Sequence, residues 1–135
     1  MPIHIYRSPV SESAYVRCDG VVSLDDMQQQ FAEFLADAPR ESPYRIVVDL
    51  TSVRDIDLSF RDVQNFVPTL VRTTKSSAHA YAFSIVSPDM QTRALVKVFQ
   101  ILTQAVPRVS VTLHTTVASA LSALSMTDSD IRRVA

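Results

Sequence analysis

The sequence predicts an α/β fold, in which a mixed and mostly parallel sheet of about five strands is flanked by about four helices. Segments rich in Ile, Val and Tyr alternate along the chain with segments in which apolar residues recur at helical spacing. A predicted hairpin comes first, and a helix separates each later pair of strands, which favours parallel pairing. The 135 residues, 47% of them hydrophobic, suit one domain with its own core.

The first predicted element is a β-hairpin. The segments His4–Arg7 and Ala14–Cys18 are rich in Ile, Tyr and Val and alternate in polarity. Ser8 and Pro9 lie between them and form a turn signal. Gly20 is predicted to end the second strand.

A first amphipathic helix is predicted after the hairpin. Ser23 and Asp26 have the spacing of a capping box, in which two side chains satisfy backbone amides at the start of a helix. The helix is expected to end before Pro39, because the residue before a proline disfavours helical geometry. Its apolar stripe consists of Leu24, Met27, Phe31, Leu35 and Ala38.

The central strand and the second helix come next. Tyr44–Leu50 carries apolar residues at both alternating positions, which is typical of a strand buried on both faces of a parallel sheet. Thr51–Leu58 is predicted to be a loop. Ser59 and Asp62 repeat the capping-box spacing and start a second helix, which we expect Pro68 to kink.

The second half of the chain continues the alternation of strands and helices. Ala80–Val86 is predicted to be a strand, and Met90–Ala105 is predicted to be the third helix. Val109–His114 alternates between apolar and polar residues, as a strand with one wet face does. A short helix is predicted over Val117–Leu124.

Composition bounds the function. We expect residues 1–135 to form one domain, with a core over about 3–125 and a polar tail at 127–135. Gly20 is the only glycine, which excludes the glycine-rich loops that bind nucleotide phosphates. The 13 basic and 14 acidic residues give a net charge of -1, so no nucleic-acid partner is predicted. Cys18 is the only cysteine, so no cysteine metal cluster is predicted. No apolar run is long enough to cross a membrane, and we predict a cytoplasmic protein.

Three sequence motifs together resemble a known family. They are Asp19–Asp25, Ile46–Asp57, and Ser87–Ala94 followed by Phe99 and Gln100. In this order and spacing they resemble the STAS domain, and in particular its small bacterial SpoIIAA-like branch, which is related to lipid-binding Sec14-type domains. The resemblance covers about residues 3–125 and implies the same order of elements as the periodicity.

The resemblance implies a non-enzymatic regulatory or interaction module that binds a partner protein or, in some members, a ligand. We predict no cofactor. In the family's switch members, a serine after a loop aspartate is phosphorylated, and Asp57 matches that aspartate. Leu58 stands where the switch serine would be, Ser59 matches the next serine, and Phe60 replaces a glycine. We therefore expect Asp57, Leu58, Ser59, Phe60 and Arg61 to form the partner-binding surface, with Ser59 as a candidate phosphorylation site or a plain helix cap.

The third helix is apolar on more than one side. Its core-facing stripe is predicted to be Met90, Ala94, Val98, Ile101 and Ala105. On a helical wheel Val96 and Phe99 then point away from the core, next to Arg93. We predict that these three residues form a surface for a homodimer or a ligand. The alternative is that Phe66 of the second helix, or the C-terminal segment, covers one of the two apolar side chains.

Two other functions remain open. Helices that are apolar on several sides favour a small apolar-ligand or lipid-binding domain. The acidic residues Asp49, Asp55, Asp57 and Asp62 favour a metal-assisted hydrolase or phosphotransferase, but only if their oxygens converge on one cation. The ordinary interpretation is that Asp62 caps a helix while Asp55 and Asp57 are solvated. We predict no metal site and no catalytic residues.

Overall fold

A computed structural model describes residues 3–8, 13–29, 44–57, 59–75, 80–87, 89–106 and 109–123. The predicted end of the first helix before Pro39, Leu58 and the polar tail at 127–135 lie outside these residues. The strands are β1 (Ile3–Ser8), β2 (Ser13–Ser23), β3 (Tyr44–Asp57), β4 (Tyr81–Val86) and β5 (Val109–His114). The helices are α1 (described over 24–29), α2 (Phe60–Lys75), α3 (Met90–Thr103) and α4 (Val117–Ala123).

The five described strands form one sheet in the order β1-β2-β3-β4-β5. β1 and β2 are antiparallel, as the predicted hairpin requires, and the other neighbouring pairs are parallel. The predicted mixed and mostly parallel sheet is therefore confirmed. Because sequential parallel strands are joined by right-handed crossovers, α1, α2 and α3 follow on the same face of the sheet. α4 contacts β3, β4 and β5 from the opposite face.

β3 is covered on both faces, as its sequence predicts. Ile46 and Val48 face the layer of α1, α2 and α3, where they belong to the larger apolar cluster. Val47 is fully buried on the other face, against Ala120 and Leu121 of α4. The alternation of a strand thus places one apolar set under each helical layer.

Two predicted strand ends are wrong. β2 continues through Gly20 to Ser23, and β3 continues to Asp57 instead of giving way to a loop. Gly20 has a φ of +67° beside two shifts in the β2–β3 register, so glycine makes an irregularity inside the strand rather than an end. The β3–β4 pairing stops at Asp49, and beyond it β3 pairs with β2 alone. Most of this two-stranded extension is polar and exposed, so apolar periodicity does not mark it.

The predicted buried face of α3 is also wrong. Thr92, Val96 and Thr103 are buried, whereas Met90 is 82% exposed and Ile101 is 64% exposed. The helix has apolar residues on more than one side, so its periodicity does not select one face unambiguously. Threonine is tolerated inside because its hydroxyl finds a partner locally, as Thr103 Oγ1 does by donating to the carbonyl oxygen of Phe99 at 2.9 Å.

Because α3 buries a different face from the predicted one, the reason for expecting a homodimer through Val96 and Phe99 no longer holds. Val96 is 7% exposed and Phe99 packs against the larger apolar cluster, so neither is the exposed side chain that we expected. Phe99 also lies next to Phe66 of α2, with ring centroids 6.0 Å apart. The alternative expectation, that the second helix covers one of them, is correct for Phe99.

Candidate functional site

The end of β3 and the start of α2 are connected by a capping box. The backbone amide of Ser59 donates to Oδ2 of Asp62 at 2.9 Å, and the amide of Asp62 donates to Oγ of Ser59 at 3.1 Å. These reciprocal bonds satisfy amides that a helix start would otherwise leave unpaired. The predicted cap is confirmed, and it fixes Phe60 as the first residue of α2.

The predicted partner surface is solvent-exposed wherever the structure describes it. Asp57, Ser59 and Arg61 are exposed, and the Phe60 side chain is 54% exposed despite its apolar ring. We call Asp57, Ser59, Phe60 and Arg61 the β3–α2 surface. The β3–α2 surface thus combines an exposed aromatic ring with one acidic and one basic side chain.

The four candidate acidic residues do not converge. Asp49 is buried and faces the α4 side of the sheet, where it accepts hydrogen bonds from Tyr15 and Thr51. Asp55 and Asp57 lie exposed on the β3 extension, and Asp62 caps α2. Within the described ranges, no group of three His, Cys, Asp or Glu side chains has the arrangement of a metal site.

A cavity of about 160 Å³ lies between the sheet and helices α1, α2 and α3. Val96 and Phe99 line it, so two of the three residues predicted for a dimer or ligand surface meet there. Arg93, the third, is not among the described residues that line the cavity. The sequence did not locate the cavity, because nearly all of its lining residues are apolar side chains of the kind that any core contains. The only signal was that the helices are apolar on several sides.

Cys18 lines the same cavity and is 4% exposed. Burial, followed by the charge of Asp49, raises the pKa of its thiol to about 12. The thiol is therefore protonated at neutral pH and behaves as a small apolar side chain.

A chain of polar side chains lies on the opposite face of the sheet, beneath α4. The His114 ring bonds through Nδ1 to Oγ of Ser119 at 2.8 Å and through Nε2 to Oγ1 of Thr112 at 2.9 Å. Ser84 Oγ donates to the carbonyl oxygen of Ala120 at 3.2 Å, which ties α4 to β4. Burial lowers the pKa of His114, so its ring is neutral at pH 7. Through these two hydroxyl groups the histidine links α4 to β5.

No protein-family model and no curated protein matches this chain. Solved structures do match it. One is an uncharacterized protein of the DUF3478 family from Shewanella loihica PV-4, which has a SpoIIAA-like fold. Its sequence is 14% identical to this one, the match covers 90% of this chain and 91% of that chain, and the TM-score is 0.56. Another is the anti-sigma factor antagonist SpoIIAA in its unphosphorylated form, 13% identical, with 91% and 97% covered at a TM-score of 0.52. None of the described helices is long and apolar enough to span a membrane. The order of strands and helices and these structural matches together show that the chain has a SpoIIAA-like fold.

Proposed function

We propose that this protein is a cytoplasmic, non-enzymatic interaction module that binds a partner protein through the β3–α2 surface. The observation that carries the proposal is the exposed ring of Phe60 at the first residue of α2. The structurally similar SpoIIAA is an anti-sigma factor antagonist, a protein whose action is directed at another protein, and this supports the same class of function.

Phe60 has the properties of an interface anchor. Aromatic residues are enriched among the few side chains that carry most of the binding energy of an interface. The reciprocal bonds between Ser59 and Asp62 hold the first turn of α2, so little backbone freedom is lost when a partner binds. Asp57 and Arg61 carry opposite charges on either side of Phe60, which favours a partner with a matching pair of charges.

Ser59 stays a candidate phosphorylation site within this proposal. Its hydroxyl is exposed and at the start of α2, where the helix dipole favours a phosphate. A phosphate would add about -1.5 to -2 charges at pH 7 beside Asp57 and Asp62 and would replace the capping hydroxyl. Binding of the partner is then expected to weaken. The test is the intact mass of protein purified from its own cells, with Ser59→Ala as the variant that must lose any phosphate.

The partner surface is tested by affinity capture with three forms of the immobilised protein. They are the wild type, Phe60→Ser, and Met90→Ser as the matched control. Met90 is 82% exposed at the start of α3, so both substitutions remove an exposed apolar side chain at a helix start. Quantitative mass spectrometry compares the proteins that each form retains from a cell extract.

The expected result is a protein that the wild type and Met90→Ser retain equally and that Phe60→Ser loses by tenfold or more. Equal retention by Phe60→Ser would overturn the assignment of the β3–α2 surface. A turnover activity that Asp57→Ala abolishes would overturn the proposal that the protein is not an enzyme.

Binding of a small apolar ligand is a second candidate function, and the cavity beneath α2 and α3 favours it. Native mass spectrometry of protein purified from its own cells tests this function directly. A bound mass that disappears on denaturation supports it, and an unliganded mass from every preparation counts against it.

A further inference from the structure

We propose that the cavity between the sheet and the helical layer binds one compact, uncharged apolar group with the size of a single aromatic ring. The proposal rests on the second candidate function and names its ligand class. It concerns the space between the sheet and the helices, and the described lining of this space includes none of the four residues of the β3–α2 surface.

The volume of the cavity supports this ligand class. Native interiors are close-packed and contain few voids larger than a water molecule, so a cavity of about 160 Å³ is unusual in a domain of this size. An apolar cavity of about 150 Å³ in a protein core stays dry and binds benzene or xenon. A single aromatic ring matches this volume, whereas a long acyl chain or a fused ring system would extend out of the cavity, which is partly open to the surface.

The lining of the cavity is apolar on both sides. The sheet contributes Phe83 and Ile85 of β4, and α3 contributes Leu95 and Phe99. The described lining includes no lysine, arginine or histidine. Water would find few hydrogen-bond partners there, since a buried water normally makes about three hydrogen bonds. An apolar ligand therefore displaces little bound water and gains contacts with the walls.

The charge of the lining selects an uncharged ligand. Asp62 is the one charged side chain among the described residues that line the cavity. Its carboxylate is held in place because Oδ2 accepts the Ser59 amide at 2.9 Å. An anionic group placed beside it would be repelled and would find no described cation in the cavity to balance its charge. Fatty acids and other carboxylates are therefore disfavoured, although their apolar portions match the walls.

The first experiment is a titration of the wild-type protein with benzene, and with benzoate as the anionic probe of the same ring size. At a free benzene concentration ten times its Kd we expect Tm to rise by about 5 °C, because a ligand that binds only the folded state stabilises it. Methyl NMR then localises the site. The methyl groups of Ile85 and Leu95 should shift, whereas those of Val117 and Leu121 on the opposite face should not.

A pair of variants on β2 tests whether the cavity itself is the site. Cys18→Leu places a larger apolar side chain in the cavity, and Val21→Leu makes a similar change three residues away on a residue that is 49% exposed. Cys18→Leu should lose at least nine-tenths of the benzene-induced rise in Tm, and Val21→Leu should keep it. If Cys18→Leu does not fold, the methyl shifts of the wild type decide.

Each outcome has one meaning. Benzene binding with the expected methyl shifts, and no response to benzoate, supports the proposal. An equal response to benzoate overturns the requirement for an uncharged ligand. If benzene changes neither Tm nor the methyl shifts while 1-decanol raises Tm and shifts the same methyl groups, the proposed ligand size is wrong. Binding of a larger apolar ligand is then supported. If neither probe binds and native mass spectrometry finds no ligand, the second candidate function fails as well.

Discussion

The hydroxyl group of Tyr15 on β2 donates a hydrogen bond to Oδ2 of Asp49, a buried carboxylate on the neighbouring strand β3. The other oxygen of Asp49 accepts the backbone amide of Thr51 at 2.9 Å and its hydroxyl at 2.6 Å. Both carboxylate oxygens therefore have partners within the protein, as a buried carboxylate requires. Asp49 is held as a structural group, which explains why it does not join the exposed acidic residues further along β3.

The first prediction concerns this hydrogen bond. Tyr15→Phe should lower the free energy of unfolding by about 2 kcal/mol, because Asp49 stays buried and loses one partner. Tyr6→Phe is the matched control, since Tyr6 stacks on Tyr15 with ring centroids 6.2 Å apart and should change stability by less than about 0.5 kcal/mol. Urea unfolding of both variants measures the difference. Equal losses would show that the hydroxyl of Tyr15 has no special role.

The second prediction is a loss of stability in alkali that depends on Tyr15. Burial and the bond to Asp49 raise the pKa of Tyr15 well above its usual 10. The folded state therefore keeps this proton at a pH where the unfolded chain releases it. The stability contributed by Tyr15 is fully present below pH 10 and falls as pH rises above 10. Tyr15→Phe should show a smaller fall than the wild type when urea unfolding is repeated from pH 9 upward, and an unchanged slope would contradict this origin.

The sequence predicted the sheet well because strand and helix periodicities differ strongly. The order of the elements, the antiparallel hairpin and both capping boxes at Ser23 and Ser59 are correct. These features depend on short-range spacing and on rules of chain connection. The sequence alone is sufficient for such features because the interacting residues are close together along it.

The face that α3 buries and the position and volume of the cavity were beyond prediction from sequence. Val96 and Ile101 are chemically similar, and only the packing of α3 against β5 and α2 places one inside and the other outside. The cavity depends on how well side chains from three helices fill the space above the sheet, a balance of volumes that periodicity does not encode. The extension of β3 to Asp57 was missed for a different reason. It is polar and depends on pairing with β2 at a distance along the chain.

The third prediction tests the orientation of α3. Val96→Ala should lower the free energy of unfolding by about 2 kcal/mol, because it removes buried apolar contacts beside an existing cavity. Ile101→Ala should change it by less than about 0.5 kcal/mol. Both variants replace a β-branched residue by alanine in the same helix, so the gain in helix propensity is similar and cancels in the comparison. The reverse order of effects would restore the face that the sequence predicted.

The fourth prediction separates the capping role of Ser59 from a signalling role. Ser59→Ala should lower the free energy of unfolding by about 1 kcal/mol, because the amide of Asp62 loses its acceptor. Ser59→Asp should cost less, since aspartate is a good N-cap and its charge suits the helix start, although it lies near other carboxylates. Thermal unfolding measures both variants. If Ser59→Ala is as stable as the wild type, the hydroxyl is retained for a reason other than capping.

The fifth prediction is an acid-dependent loosening of α4 through His114. Burial lowers the pKa of this ring below its usual 6.5, and hydroxyl groups of Ser119 on α4 and Thr112 on β5 hold it in place. As pH falls below about 6.5, the unfolded chain binds a proton at this histidine before the folded state does. The stability contributed by His114 is therefore complete above pH 6.5 and declines toward the lower pKa of the folded state.

His114→Gln removes the titrating ring but keeps a side chain that can donate to one hydroxyl and accept from the other. Urea unfolding at about pH 7.5 and about pH 5 should then show a smaller loss for the variant than for the wild type. Hydrogen exchange adds a local measure. The amide of Ala120 donates to the carbonyl oxygen of Thr116 at 3.2 Å and lies within the helix that the histidine anchors. In the wild type, exchange of this amide, corrected for the intrinsic rate at each pH, should be faster at about pH 5 than at about pH 7.5. His114→Gln should remove this difference. The same acceleration in both proteins would place the acid-sensitive group elsewhere.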